Sequence, residues 1–244
     1  MNPFLPFIRR TRRGFTLTET LITMTILGIA GVGMVAFMRQ GLKMYYSDRA
    51  RLMINRDIRS FTAKLDTDAV AANFYCIYPS FAVTSTGSGS AAVDAAVADG
   101  QVGDYLVLLY TDPSQTSRGI SMITELVGYY REVTNTTLNT GPVHRYDIKL
   151  APANYVNVTS GGTAGLSGIL STLVTGTADS YPIVEQLAQG LATNATVATP
   201  TPALFYNLKN RSIMINAQVT ESLTEMGNVT QTGNTYNFSV SPRG

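Results

Sequence analysis

One carboxylate stands alone in a long apolar run. Between Phe15 and Met38 the only charged residue is Glu19. An ionisable side chain inside a membrane span is costly, and by default it marks a function. The simplest chemistry open to Glu19 is pairing with a cation at the same depth, which offsets part of the cost of burying both charges. The bland alternative is a stray acid near the membrane surface. A cut between Gly14 and Phe15 would create a free ammonium one helical turn from Glu19. The same cut would remove Arg9, Arg10, Arg12 and Arg13, the only charged residues ahead of Gly14. It would leave 14 Lys+Arg against 16 Asp+Glu and turn the formal net charge from +2 to −2.

The rest of the chain offers little reactive chemistry. His144 is the sole histidine, so any His-based triad or metal site would have to use it. It falls in an expected strand and reads as a structural or surface residue. Cys76 is the only cysteine, which rules out an intramolecular disulfide and suggests a buried free thiol. Asp66 and Asp68, and Asp94 and Asp99, are close pairs, but no EF-hand-like run surrounds them, and solvated acids are the expected reading. No GxSxG elbow, phosphate-binding glycine loop or Cys/His zinc spacing occurs. The expectation is a chain without catalytic residues, cofactor or metal. The rival is an enzyme or sensor that uses the apolar segment only as a tether.

The elements that must position Glu19 follow from periodicity. The apolar run from Phe15 to Met38 is long enough to span about 30 Å of hydrocarbon as a helix. Four arginines precede it, so the positive-inside tendency keeps that end cytoplasmic and places the rest of the chain outside, an orientation Arg39 and Lys43 weaken slightly. A secretory signal has its apolar core before the cleavage site, whereas here the apolar run follows Gly14. No proline occurs between Phe15 and Tyr78, and Ile54, Ile58, Phe61 and Leu65 form one helical stripe. A single helix is predicted to about Ala71, roughly 55 residues and about 80–85 Å long.

These residues carry a resemblance. Arg13-Gly14-Phe15-Thr16-Leu17-Thr18-Glu19, followed by an apolar helix, closely resembles the class III signal of type IV pilins and type II secretion pseudopilins. The resemblance implies cleavage after Gly14 by a prepilin peptidase, N-methylation of Phe15, and a role for Glu19 in docking into a helical filament. Many major pilins have proline at the position of Ala36, which this chain lacks. Gly28, Gly31 and Gly33 could loosen the helix or let neighbouring helices approach closely, and both roles stay open. The implied partners are the peptidase, other pilin or pseudopilin subunits, an inner-membrane assembly platform and the membrane itself.

The implied fold is α+β and pilin-like. It has a leader (1–14), a transmembrane and filament-core helix (15–38), an amphipathic continuation (39–72) and a β-rich head (73–244) with long decorated loops. Within the head, 104–110, 125–133, 143–150, 211–220 and 235–240 read as strands. The first three suggest an antiparallel meander, with Asp112-Pro113-Ser114 as the first turn. Residues 79–103 read as an exposed loop with a short Ala-rich helix near 91–98. Ser180–Ala192 reads as an amphipathic helix through Ile183, Val184, Leu187 and Leu191. Head size and strand pattern loosely resemble the larger minor pilins and the larger minor pseudopilin.

Charge divides the chain into a basic stem and an acidic head. Residues 39–64 carry seven bases and two acids, whereas 65–244 carry seven bases and thirteen acids. Acidic surfaces of adjacent subunits, or solvent, are the expected partners of the basic stem. Nucleic acid is the rival, as in a DNA-binding competence pilin, but Tyr45, Tyr46 and Phe61 give little aromatic interleaving for stacking on bases. The predicted function is a structural subunit, a minor pilin or pseudopilin that initiates or caps a filament. Being the major subunit is the remaining option within that class.

Overall fold

The computed structural model describes residues 14–81, 96–117, 120–157, 166, 170, 180–193, 202–225 and 228–243. The chain divides into two compact units, Met1–Tyr46 and Ser47–Gly244. The expected leader, apart from Gly14, and the expected Ala-rich helix up to residue 95 lie outside the described residues.

Helix α1 runs over Leu17–Ala71, 55 residues, and ends where the periodicity placed its end. In the first unit its side chains are exposed, including Leu17, Ile22, Ile26, Ile29 and Phe37. It is long and apolar enough to cross a membrane. Three of its threonines suit hydrocarbon, because their hydroxyls are satisfied within the helix. Thr20 Oγ1 donates to the Leu17 carbonyl (2.8 Å), Thr23 Oγ1 to that of Glu19 (2.9 Å) and Thr25 Oγ1 to that of Leu21 (2.8 Å).

In the second unit α1 buries Ala50, Ile54, Asp57, Phe61, Leu65, Asp68 and Ala69. Steps of three and four residues keep these on one face. That face lies on an antiparallel sheet. Its strands are β1 (Phe74–Tyr78), β2 (Val102–Gly103), β3 (Tyr105–Ser117), β4 (Ile120–Arg131), β5 (Thr140–Lys149), β6 (Val156–Asn157), β7 (Tyr181–Gly190), β8 (Phe205–Leu208), β9 (Ser212–Glu225) and β10 (Asn228–Val240). Their order is β1-β3-β4-β5-β7-β9-β8-β2, with β10 added to β9 and β6 to β4. The expected meander is β3-β4-β5. The architecture is α+β and pilin-like, one long N-terminal helix followed by an antiparallel head.

The sheet has a core on each face. Ile54, Phe61 and Leu65 of α1 pack on Leu106, Leu108, Val127, Tyr129, Val143 and Ile215. Phe61 sits edge-on to the rings of Tyr129, Tyr236 and Phe238. The opposite face buries Tyr105, Val107, Leu109, Leu126 and Tyr146, with Leu166 and Leu170 in the same cluster. Burial on both faces explains why Tyr105–Leu109 is continuously apolar rather than alternating. Gly128 is opposite Tyr146 in the β4–β5 register, and a side chain on Gly128 would collide with the Tyr146 ring, whose nearest atom would lie at 2.0 Å.

Three expectations change. Ser180–Ala192 is not a helix but contains β7. The β5–β7 register shifts, with Gly141 opposite Ala188 and Val143 opposite Val184, so β7 bulges between them. A second shift, from Val143 opposite Val184 to His144 opposite Pro182, skips Ile183 and leaves Ile183 and Val184 both buried, and a strand with consecutive apolar residues imitates helical spacing. Asp112-Pro113-Ser114 forms an Asx turn, with Ser114 N and Oγ donating to Asp112 Oδ1 (2.8 and 2.7 Å), but this turn is a bulge inside β3, which continues to Ser117. Asp68, expected in solvent, is 7% exposed.

The β7 bulge has a cause in α1. Asp57 Oδ2 accepts the backbone N–H groups of Glu185 (3.0 Å) and Gln186 (3.4 Å), replacing acceptors that a regular ladder would supply. Arg56 joins Asp57 Oδ1 (3.0 Å) to Glu185 (3.2 Å). Asp57→Ala strips the acceptor from two backbone donors. Each orphaned buried donor costs about 1–3 kcal/mol, and Glu185 and Gln186 should lose amide-exchange protection together. Unchanged protection at both amides would refute the latch.

Candidate assembly site

Glu19 lies in the first turn of α1, and Thr16 immediately precedes the helix. Thr16 Oγ1 accepts the Glu19 backbone N–H at 3.3 Å, while Thr16 N lies 3.5 Å and Thr16 Oγ1 3.4 Å from Glu19 Oε2, both as donors. This is a capping box, in which the cap residue and the third helical residue satisfy each other's backbone donors. The Glu19 carboxylate is thereby turned back toward the amino end of the chain. The Thr-x-x-Glu spacing announces such a box, and the reading of Glu19 purely as an intermolecular partner missed it. Phe15 is 78% exposed, and a Cβ on Gly14 would meet nothing within 4 Å.

The head that this segment carries is held to its helix by charged groups. Asp68 Oδ2 accepts Arg145 Nε (2.8 Å) and the Tyr129 hydroxyl (2.5 Å), and the Asp68 carbonyl accepts the Tyr110 hydroxyl (2.7 Å). Arg145 also donates to Asp147 (3.3 Å) and to the Tyr181 hydroxyl (3.2 Å). Burial disfavours the charged form of Arg145, but hydrogen bonds with Asp68 and Tyr129 outweigh it and hold its pKa above the usual value. Burial, reinforced by Asp68, pushes the Tyr129 hydroxyl well up. Arg145 itself is 5% exposed.

A second buried pair ties the sheet's far end together. Arg131 Nη2 donates to Asp104 Oδ2 (2.5 Å), and Arg131 Nη1 donates to the Asn139 carbonyl (2.5 Å). Asp104 Oδ1 accepts Leu204 N (2.8 Å). Burial raises the Asp104 pKa despite Arg131. Asp99 accepts the Lys209 N–H. His144 stacks on Tyr130 with ring centroids 5.2 Å apart and lies 3.1 Å from Glu132. The Cys76 thiol is unbridged and half-buried, and burial raises its pKa. Among the described residues no cluster of His, Cys, Asp and Glu could hold a metal ion.

Residues 9–35 match the family model of the prokaryotic N-terminal methylation motif. The chain is type IV pilin-like. The motif spans Arg13 through Glu19 and the start of the apolar helix, and it implies processing by prepilin peptidase and assembly with other pilins. No curated protein and no solved structure matches the chain. The motif runs into a helix long and apolar enough to cross a membrane, and the head rests on the later part of α1 through Asp57, Phe61 and Asp68.

Proposed function

We propose that this chain is a structural subunit of a type IV pilus-like or type II secretion filament, a minor pilin or pseudopilin that initiates or caps it. The precursor is held in the bacterial inner membrane with its head in the periplasm. Prepilin peptidase cuts between Gly14 and Phe15, Phe15 is N-methylated, and an assembly platform polymerises the product. The observation that carries this reading is the methylation motif at 9–35 merging into an exposed apolar run, Phe15 to Met38, whose one charged residue, Glu19, faces the new terminus.

Glu19 then has two successive partners. In the single chain it caps α1 through Thr16. In the filament it meets the methylated ammonium of a neighbour, which fixes the axial register. The test combines mass spectrometry of the mature N-terminus with sheared-filament recovery for Glu19→Ala. The wild-type protein begins at methylated Phe15. The variant is processed but falls at least about ten-fold in the filament fraction. Normal recovery of the variant, or a mature protein retaining residues 1–14, would overturn the proposal.

A further inference from the structure

Strand β10 is the longest unprotected edge among the described residues. It pairs with β9 without a register shift from Asn228↔Glu225 to Val240↔Ile213, and with no other described strand. The register runs unshifted, so with Asn237 opposite Asn216 alternate residues from Val229 to Ser239 turn N–H and C=O away from β9. Asn216, opposite Asn237, shows the same alternation from the β9 side. Its backbone groups bond outward to Leu204 (3.3 Å) and Leu191 (2.9 Å).

Natural edges are blunted by charges, proline, bulges or covering segments. Several other edges among the described residues are. Val97 covers β1, donating its N–H to the Ile77 carbonyl (2.7 Å). The outer part of β3 carries Pro113 and a bulge, and β6 covers β4 beyond β5. Residues 228–240 contain no Lys, Arg, Asp, Glu or Pro and no bulge. Thr235, Asn237 and Ser239 are exposed, while Tyr236 and Phe238 pack toward Phe61.

We propose that this edge pairs antiparallel with the β10 edge of a second copy of this chain, about a two-fold axis. An antiparallel edge is its own complement across a two-fold, since each contact recurs with the partners exchanged. Between two copies of a charged edge, like charges would be brought together, which is destabilising. This edge carries none. The pairing is independent of the filament reading and of Glu19.

The test uses the full-length chain in its membrane, in a Cys76→Ser background. Single cysteines replace Gln231, Thr235, Asn237 or Ser239 in turn. Directly opposed residues lie within disulfide reach across an antiparallel pair. The expected result is a disulfide-linked homodimer that peaks at one position and falls off on both sides of it. Pairing is then blocked by Thr235→Pro, tolerated in the monomer because that N–H has no ladder partner, or, where the peak lies at Thr235, by Asn237→Lys. Either change lowers the peak dimer at least about ten-fold. The near-ultraviolet circular dichroism of the tyrosines stays unchanged. No homodimer at any position, a dimer indifferent to both blocking changes, or cross-linking only to a chain of another mass would each overturn the proposal.

Discussion

Arg145→Met should destabilise the head by about 3–5 kcal/mol, because it leaves Asp68 charged, buried and short of its main partner. The side chains of Asp68 and Arg145 are 9% and 6% exposed, so solvent screens the pair little. Met fills the space of the arginine stem but donates no hydrogen bond. Lys64, at 3.8 Å and 44% exposed, is too distant and too wet to substitute. The Tyr129 hydroxyl would remain as the principal donor to Asp68. The chain lacks Trp, so the measurement is urea unfolding in detergent followed by tyrosine near-ultraviolet circular dichroism. The discriminating arm is the double variant Asp68→Leu with Arg145→Met. A buried ion pair replaced whole by apolar residues is often neutral or better, whereas removal of one partner is severe. The double variant should therefore recover most of the lost stability. If it is no more stable than Arg145→Met alone, charge burial is not the cause and the loss is one of packing.

The Asp68–Arg145 pair also shows where the sequence can mislead. Ile54, Phe61 and Leu65 set the helix face by spacing alone, and Asp57 and Asp68 fall on the same face by the same arithmetic. Their charge argued for solvent, because single-sequence reasoning treats an acid as exposed unless a partner is visible. The partners lie 128 residues away at Glu185 and 77 away at Arg145, and only the fold brings them together. The end of α1 and the β3-β4-β5 meander were legible because apolar periodicity and polar connections are local signals. Strand β7 was not, since its alternation is broken by a bulge that Asp57 stabilises from another element. The short strands β1 and β8 hold their place by pairing with β3 and β9. At the amino end, composition and order made the segment readable. The capping box was also readable but lay beneath the stronger signal of a lone acid in an apolar helix.

Replacing Gly14 with valine should abolish leader removal while leaving the fold intact. Nothing in the structure requires glycine there. An added Cβ meets no atom within 4 Å, and Gly14 is not among the glycines with positive φ. Any demand for glycine therefore comes from the processing enzyme rather than from the chain's own packing. The uncleaved chain keeps Arg9, Arg10, Arg12 and Arg13 and a formal charge of +2, whereas the processed chain carries −2. Isoelectric focusing separates the two forms, and mass spectrometry shows whether residues 1–14 remain. Retention has a mechanical consequence as well. Phe15 then has an amide instead of an ammonium, so a neighbouring Glu19 loses the cation at its own depth, and four arginines stay joined ahead of the apolar helix. Lateral assembly would have to bury an unpaired carboxylate, which is strongly unfavourable in hydrocarbon. The variant should accumulate in the membrane with the wild-type tyrosine dichroism and be missing from sheared filaments. Processing of Gly14→Val at the wild-type rate would remove Gly14 from the cleavage signal. Assembly of the uncleaved form would instead show that the Phe15 ammonium is dispensable and that Glu19 serves chiefly to cap its own helix.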